Sequence, residues 1–330
     1  MDTSLRRALV VAALIGMAGC AGNGLTSQSS SLPSQNAMVF VHRGMPFAPP
    51  MLQAAVRHES ALSYSTKKSL VFEADQEEAA VNIYQTANLA SNPAPIASID
   101  VAAGCPYGMA RDKKGTLYVV DNCGGNDVEE YAKGSTTLKT TITDGISNPL
   151  GAAIDKSGTL YVSNYPASIT EYASGTSTPS KTVTGGGMED PFGLALDKSG
   201  NLYIADFGAS AVFELPAGGS SVTNLNLQDL GEPLGLAIDP KTGYLWETGG
   251  SGNIINIYQL GGSTSPIETI AGNDYPYAIS LETKGKPKGE VVESDIETHA
   301  VYAYAPGSYT PYATLTNDVE LPTGLLITKL

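Results

Sequence analysis

Four times the chain writes Pro-x-Gly-x-Ala-x-Asp, at 106–112, 149–155, 191–197 and 233–239. Weaker copies begin at Pro276, where Ala278 replaces the glycine, and at Pro322, and successive starts lie 43, 42, 42, 43 and 46 residues apart. A period near forty means one supersecondary unit per copy, each burying its apolar surface against a like neighbour. After the Asp of each unit comes a glycine turn such as KKG, KSG or PKTG, suited to a short hairpin. A second apolar run follows: LYVVD at 117–121, LYVSN at 160–164, LYIAD at 202–206, LWETG at 245–249 and VVESD at 291–295. A third run ends in Tyr131, Tyr172, Leu215, Tyr258 or Tyr304, and a threonine-rich fourth reads TTIT, SKTVT, VTNLNL, IETIAG or YATLT. Short runs rich in Tyr, Val and Ile between turn signals are strands, and four antiparallel strands per forty-odd residues make a propeller blade.

The blades number six. VFEAD at 71–75 fits the second-strand pattern, with Val81 and Tyr84 at third-strand positions and PIASI at 95–99 as the fourth. That unit has no Pro-x-Gly strand before it, whereas PTGLLI at 322–327 is such a strand with nothing after it. The late strand is therefore expected to complete the first blade and close the ring, which leaves no exposed edge. The content of 36 glycines, 20 prolines and 17 tyrosines agrees with an all-β chain of tight turns.

The first residues read as an address. Arg6 and Arg7 precede an apolar run at 8–17 that is too short to span a bilayer, and Met-Ala-Gly-Cys follows at 17–20. The tetrapeptide resembles the lipobox of bacterial lipoproteins, with Met17 where leucine is commoner. The resemblance implies cleavage before Cys20, a diacylglyceryl thioether on its sulfur, and sorting by Ala21 to the outer membrane of a two-membrane cell. Residues 1–19 are then a signal peptide, 20–68 a Ser-, Gln-, Pro- and Ala-rich tether containing His42 and His58, and 69–330 the propeller. In an oxidising compartment Cys105 and Cys123 are expected to pair, because Cys105 precedes a first strand and Cys123 follows a second, and the hairpin between them sets them opposite one another. A net charge of -14 without a basic tract excludes a nucleic-acid backbone as partner.

The run PFGLALDKSGNLYIADFGASAVFEL at 191–215 resembles an NHL repeat, and the six units together resemble the six-bladed NHL and gluconolactonase-like propellers over roughly residues 70–330. That resemblance implies fold and leaves activity open, because lactonases, lyases, ligand sensors and scaffolds share the framework.

Acidic or amide side chains end most second strands: Asp75, Asp121, Asn164, Asp206 and Asp295, with Gly249 the exception. Ringed carboxylates could hold calcium through oxygen ligands. A residue that recurs in nearly every blade, however, serves every blade, and backbone capping is the preferred reading for these positions and for the turn residues Asp112, Asp155, Asp197 and Asp239. The metal-dependent lactonases imply an asymmetric Glu, Asn and Asp set; Glu247, Asn164, Asp121 and Asp206 are the nearest residues, with no motif to match, and Glu247 and Asp206 are the metal candidates. Lyases of the streptogramin type imply a catalytic histidine, and the propeller holds only His299. Sequences of the HExxH, GxSxG, CxxC and Walker types are absent.

The blades differ between Pro and Gly, where Tyr107, Leu150, Phe192, Leu234, Tyr277 and Thr323 stand. By the usual path these meet Tyr165 and Phe207 at one mouth. Tyr107, Asp121, Asn164, Tyr165, Phe192, Asp206, Phe207 and Tyr277 are thus the candidate ligand residues, with packing of the channel as the competing role. The leading expectation is an exported, lipid-anchored, monomeric module that binds an envelope glycan, peptide or protein through this face, with no assigned cofactor. The alternative is a lactonase or lyase with a divalent cation such as calcium in the channel.

Overall fold

The computed structural model describes residues 63–65, 67–101, 104–123, 125–271, 274–282 and 289–329. The signal, Cys20, most of the tether and His42 and His58 lie outside them. The described chain forms six four-stranded antiparallel sheets, the blades of a propeller. Blade 2 shows the plan: inner strand Pro106–Arg111, then Leu117–Asp121, Asp127–Tyr131 and outer strand Leu138–Ile142. Blades 3 to 6 start from inner strands Pro149–Ile154, Pro191–Leu196, Pro233–Ile238 and Pro276–Leu281. Blade 1 contains Ser69–Asp75, Ala80–Gln85 and Ala97–Asp100, and takes its inner strand from Pro322–Lys329. That strand pairs antiparallel with Ser69–Asp75, from Ser69 opposite Lys329 to Asp75 opposite Pro322. The ring is closed as the repeat predicts.

The structure explains why Pro-x-Gly recurs. Each inner strand shifts register just after its proline, as at Pro149/Gly151 and Pro233/Gly235. Such a bulge turns the strand and lets its backbone approach the next blade. A Cβ on Gly235 would sit 2.7 Å from the carbonyl oxygen of Tyr277, and one on Gly151 or Gly193 would overlap the carbonyl oxygen of Phe192 or Leu234. Hydroxyls reinforce the seam: Ser163 Oγ accepts from Gly151 N at 2.8 Å and donates to Phe192 O at 2.6 Å, and Thr248 Oγ1 joins Gly235 N to Tyr277 O in the same way.

Between blades lie apolar clusters, with Tyr84, Tyr131, Tyr172, Tyr258 and Tyr304 wholly buried near the ends of the third strands. Three features depart from the sequence expectation. In blade 4 the outer strand VTNLNL shrinks to Thr223–Asn224, because Asn226 adopts φ +53° and Leu225, Leu227 and Leu230 turn into the packing around Tyr203 and Leu236. A short 3-10 helix, Thr86–Ser91, leads into the outer strand of blade 1. Tyr64, in the expected tether, is buried against Phe72 with ring centroids 5.7 Å apart, and its amide donates to Gly134 O. Among the described residues no helix is long and apolar enough to cross a membrane.

Candidate functional site

The strand-end residues share one geometry. Asp75 accepts from the amides of Glu77 and Glu78 through Oδ1 and of Glu320 and Leu321 through Oδ2. Asp206 accepts from Glu189, Asp190 and Ala209, each at 2.9 Å. Asp295 holds Asp274 and Tyr275 with one oxygen and Glu297 and Thr298 with the other. Asn164 Oδ1 accepts from Ser147 N at 3.0 Å, while Nδ2 donates to Thr170 Oγ1. Each side chain ties the loop entering its blade, and in most blades also the turn after the second strand, to one buried point. The turn aspartates do likewise for their hairpins, Asp155 Oδ1 accepting from Ser157 N and Thr159 N at 2.8 Å.

The Pro-x-Gly residues converge on the axis. Inner strands of all six blades enclose a channel of about 70 Å³. Tyr107, Phe192, Leu234, Tyr277 and Thr323 are buried there. Phe192 meets Tyr277 edge-on at 6.3 Å and Phe207 at 5.9 Å. Burial pushes the Tyr277 hydroxyl well above its usual pKa, and that hydroxyl has no hydrogen-bond partner. Tyr107 OH reaches Gln76 Oε1 at 3.4 Å, and Tyr165 and Phe207 remain half-exposed at the rim. The structure thus gathers the aromatic candidates into a plug. Small-molecule pockets usually offer about 300–1,000 Å³, so the channel is too small for a sugar ring. His299 is exposed at φ +54°, its Nδ1 against Glu320 O.

Buried carboxyls occur away from the plug. Glu73, Glu247 and Glu293 occupy the same second-strand position and are fully buried. Burial pushes Glu247 up to about 8, with Asn256 Nδ2, 3.3 Å away, pulling down, and it likewise holds Glu73 and Glu293 well above the usual carboxylate range. Asp190, at the mouth, is pushed up to about 6 by burial and by Asp206. One group of three potential ligand residues lies close together among the described residues: Asp121, Asp127 and Glu129, with ligand atoms within 4.8 Å of one another. Neither Glu247 nor Asp206 belongs to it. Burial, then Glu129 and Asp121, push Asp127 up to about 6. Asp127 and Glu129 escape a reading of the repeat because DVEEY looks like any third strand; only the pairing register sets Asp127 opposite Asp121. Cys105 and Cys123 flank this group as a disulfide, with Cα atoms 5.2 Å apart.

The two ends of the propeller differ in charge. Glu77, Glu78, Glu189, Asp190, Glu232, Asp274, Glu297 and Glu320 lie in the loops that enter the inner strands and in the turns after the second strands, and those segments contain no lysine or arginine. At the other end, hairpin turns expose Lys113, Lys114, Lys133, Lys156, Lys198 and Lys241. Tyr64 joins the propeller at this lysine end, through Gly134. Here too a cleft of about 660 Å³ runs between blades 5 and 6, lined by Tyr244, Trp246, Ile267 and Tyr309, with Trp246 and Tyr309 6.4 Å apart.

No protein-family model and no curated protein matches the sequence. Among solved structures the chain is similar to one in the nidogen/laminin complex, at 18% identity and a TM-score of 0.66, covering 79% of this chain and 98% of that one. It is similar also to a catalytically inactive virginiamycin B lyase from Staphylococcus aureus with quinupristin, at 14% identity and a TM-score of 0.56, covering 80% and 90%. A streptogramin B lyase structure gives 15%, 0.58, 82% and 88%. At these identities the likeness establishes the fold alone.

Proposed function

We propose that this chain is an exported, lipid-anchored NHL-type propeller whose acidic Pro-x-Gly end binds a basic peptide or protein segment at the cell envelope. The observation that carries the reading is the charge of one end: it bears carboxylates without a lysine or arginine, whereas the other mixes exposed lysines with the turn aspartates. A single-sign surface attracts opposite charge from a distance and rejects like charge. The plugged channel supports a surface contact over a buried substrate.

The test is binding of short arginine-rich and aspartate-rich peptides to the purified full-length protein at low and moderate salt. Selective retention of the basic peptide, weakened at least about tenfold by the combined exposed substitutions Glu77→Lys, Glu189→Lys and Glu320→Lys, is the expected result. Equal retention of both peptides, or indifference to the triple substitution, would overturn it. Loss of fatty-acid labelling in Cys20→Ala checks the anchor.

The aromatic cleft favours a second reading, a neutral oligosaccharide stacked on Trp246 and Tyr309. Trp246 is the chain's one tryptophan, so its fluorescence reports that cleft alone. A saturable change on adding envelope oligosaccharides would support this reading, and a flat titration would remove it.

A further inference from the structure

We propose that Asp121, Asp127 and Glu129 form a calcium site built into blade 2. It stands whether or not the acidic end binds a basic partner.

The placement follows from register. Asp121 pairs directly with Asp127, and Val119 with Glu129, so Asp127 and Glu129 project from the same side of their strand toward Asp121. In the other blades the residue opposite the strand-end position is Ala80, Ser168, Ala211, Ile254 or Ala300. The strand-end aspartate is common to most blades; the two carboxylates that meet it are peculiar to this one.

Asp121 is fully buried, and its two oxygens are unequal. Oδ1 accepts from the amides of Cys105 and Cys123, each at 3.2 Å, and the Gly125 amide also reaches the carboxylate, while buried Oδ2 has no well-aligned hydrogen bond. Asp127, 9% exposed, also has a buried oxygen, Oδ1, without a partner. In the turn between them, Asn126 Oδ1 is in the same condition. The two carboxylates come together beside the backbone of Gly125, where a Cβ would lie 2.8 Å from Asp127 Oδ2 and 3.0 Å from Asp121 Oδ2. No basic side chain among the described residues forms an ion pair with Asp121 or Asp127.

Carboxylates this close and this dry repel one another unless a proton or a cation joins them, and a cation relieves all three at once. The donors are all hard oxygens, which excludes soft metals. Calcium, with oxygens at about 2.3–2.6 Å and tolerance of irregular geometry, suits a set spread over as much as 4.8 Å better than magnesium, which demands a near-ideal octahedron at about 2.0–2.1 Å. The disulfide and the two amides on Oδ1 hold Asp121 in position before the ion arrives.

Calcium added to the chelator-treated full-length protein should bind at one ion per chain and raise Tm by about 5 °C at roughly a hundredfold over Kd. Terbium in its place should show luminescence sensitised by Tyr131, whose hydroxyl donates to Glu129 Oε2. Asp127→Asn should weaken binding at least about tenfold. Gly125→Ala keeps every charge but drives a methyl against both carboxylates, and should weaken binding comparably. Absence of any calcium effect up to about 10 mM would overturn the site, since even weak extracellular modules bind by then. So would wild-type affinity in both variants, or tighter binding of magnesium. A metal-free stabilisation by Asp127→Asn in a protein indifferent to calcium would identify a protonated carboxyl pair instead.

Discussion

Blades 4 and 5 stand side by side and solve one problem in opposite ways. In blade 4 the strand-end Asp206 offers acceptors to the amides of the entering loop, and the position two residues before it is Ile204, paired with Phe213. In blade 5 the strand end is Gly249, packed against Gly231, and the earlier position is the buried acid Glu247, paired with Asn256. The loop is then held by donors instead: Asn256 Nδ2 reaches Asp229 O at 2.9 Å and Tyr258 OH reaches Gln228 O at 2.8 Å. What every blade requires is a fastened entry loop, not an aspartate. A repeated carboxylate is therefore weak evidence of chemistry.

The contrast can be broken in blade 4. Asp206→Ala strips an acceptor from three amides, and unmet buried donors cost about 1–3 kcal/mol each, so a loss of about 4 kcal/mol is expected in urea denaturation. In blade 5 the largest effect has the opposite sign. Glu247 titrates near 8 when folded against the usual 4.5, so the folded chain keeps a proton that the unfolded chain has released, and stability falls as pH rises between those values. Glu247→Gln removes that loss and should stabilise by up to about 3 kcal/mol at pH 7, with the gain vanishing toward pH 4.5. Gly249→Ala places a methyl 3.0 Å from Gly231 N and should cost about 2 kcal/mol by thermal unfolding. Gly249→Asp, which restores the repeated residue, should be no better. Tyr258→Phe, losing one hydroxyl bond, should cost about 1 kcal/mol.

The fold was legible because its signal is redundant. Pro-x-Gly marks a close backbone approach that favours glycine, and the demand returns in five of the six blades, with Ala278 in the sixth. Even the closure of the first blade could be read, from a strand missing at one end of the repeat and spare at the other. The plug was half legible: Tyr107, Phe192 and Tyr277 could be placed at a mouth, but whether six inner strands leave 70 Å³ or several hundred depends on backbone approach that composition does not encode. The cluster in blade 2 was not legible, since Asp127 and Glu129 acquire meaning only once the turn at 122–126 sets the register. Aligning third strands against their partners, rather than second strands against each other, would have exposed it: an acid stands where other blades carry alanine, serine or isoleucine.

The pairing of Ser69–Asp75 with Pro322–Lys329 also sets an order of events. Blades 2 to 6 are built from hairpins whose strands follow one another directly, whereas blade 1 joins segments separated by nearly the whole propeller, a loop whose closure is entropically the most costly in the molecule. Its completion is therefore expected last. A chain synthesised from its N-terminus presents Ser69–Asp75 early and must keep Leu70, Val71 and Phe72, all wholly buried in the finished ring, without their partner strand until Pro322–Lys329 has been made. The first strand to appear is the one that waits longest, and so it is the segment a holding chaperone would need to cover.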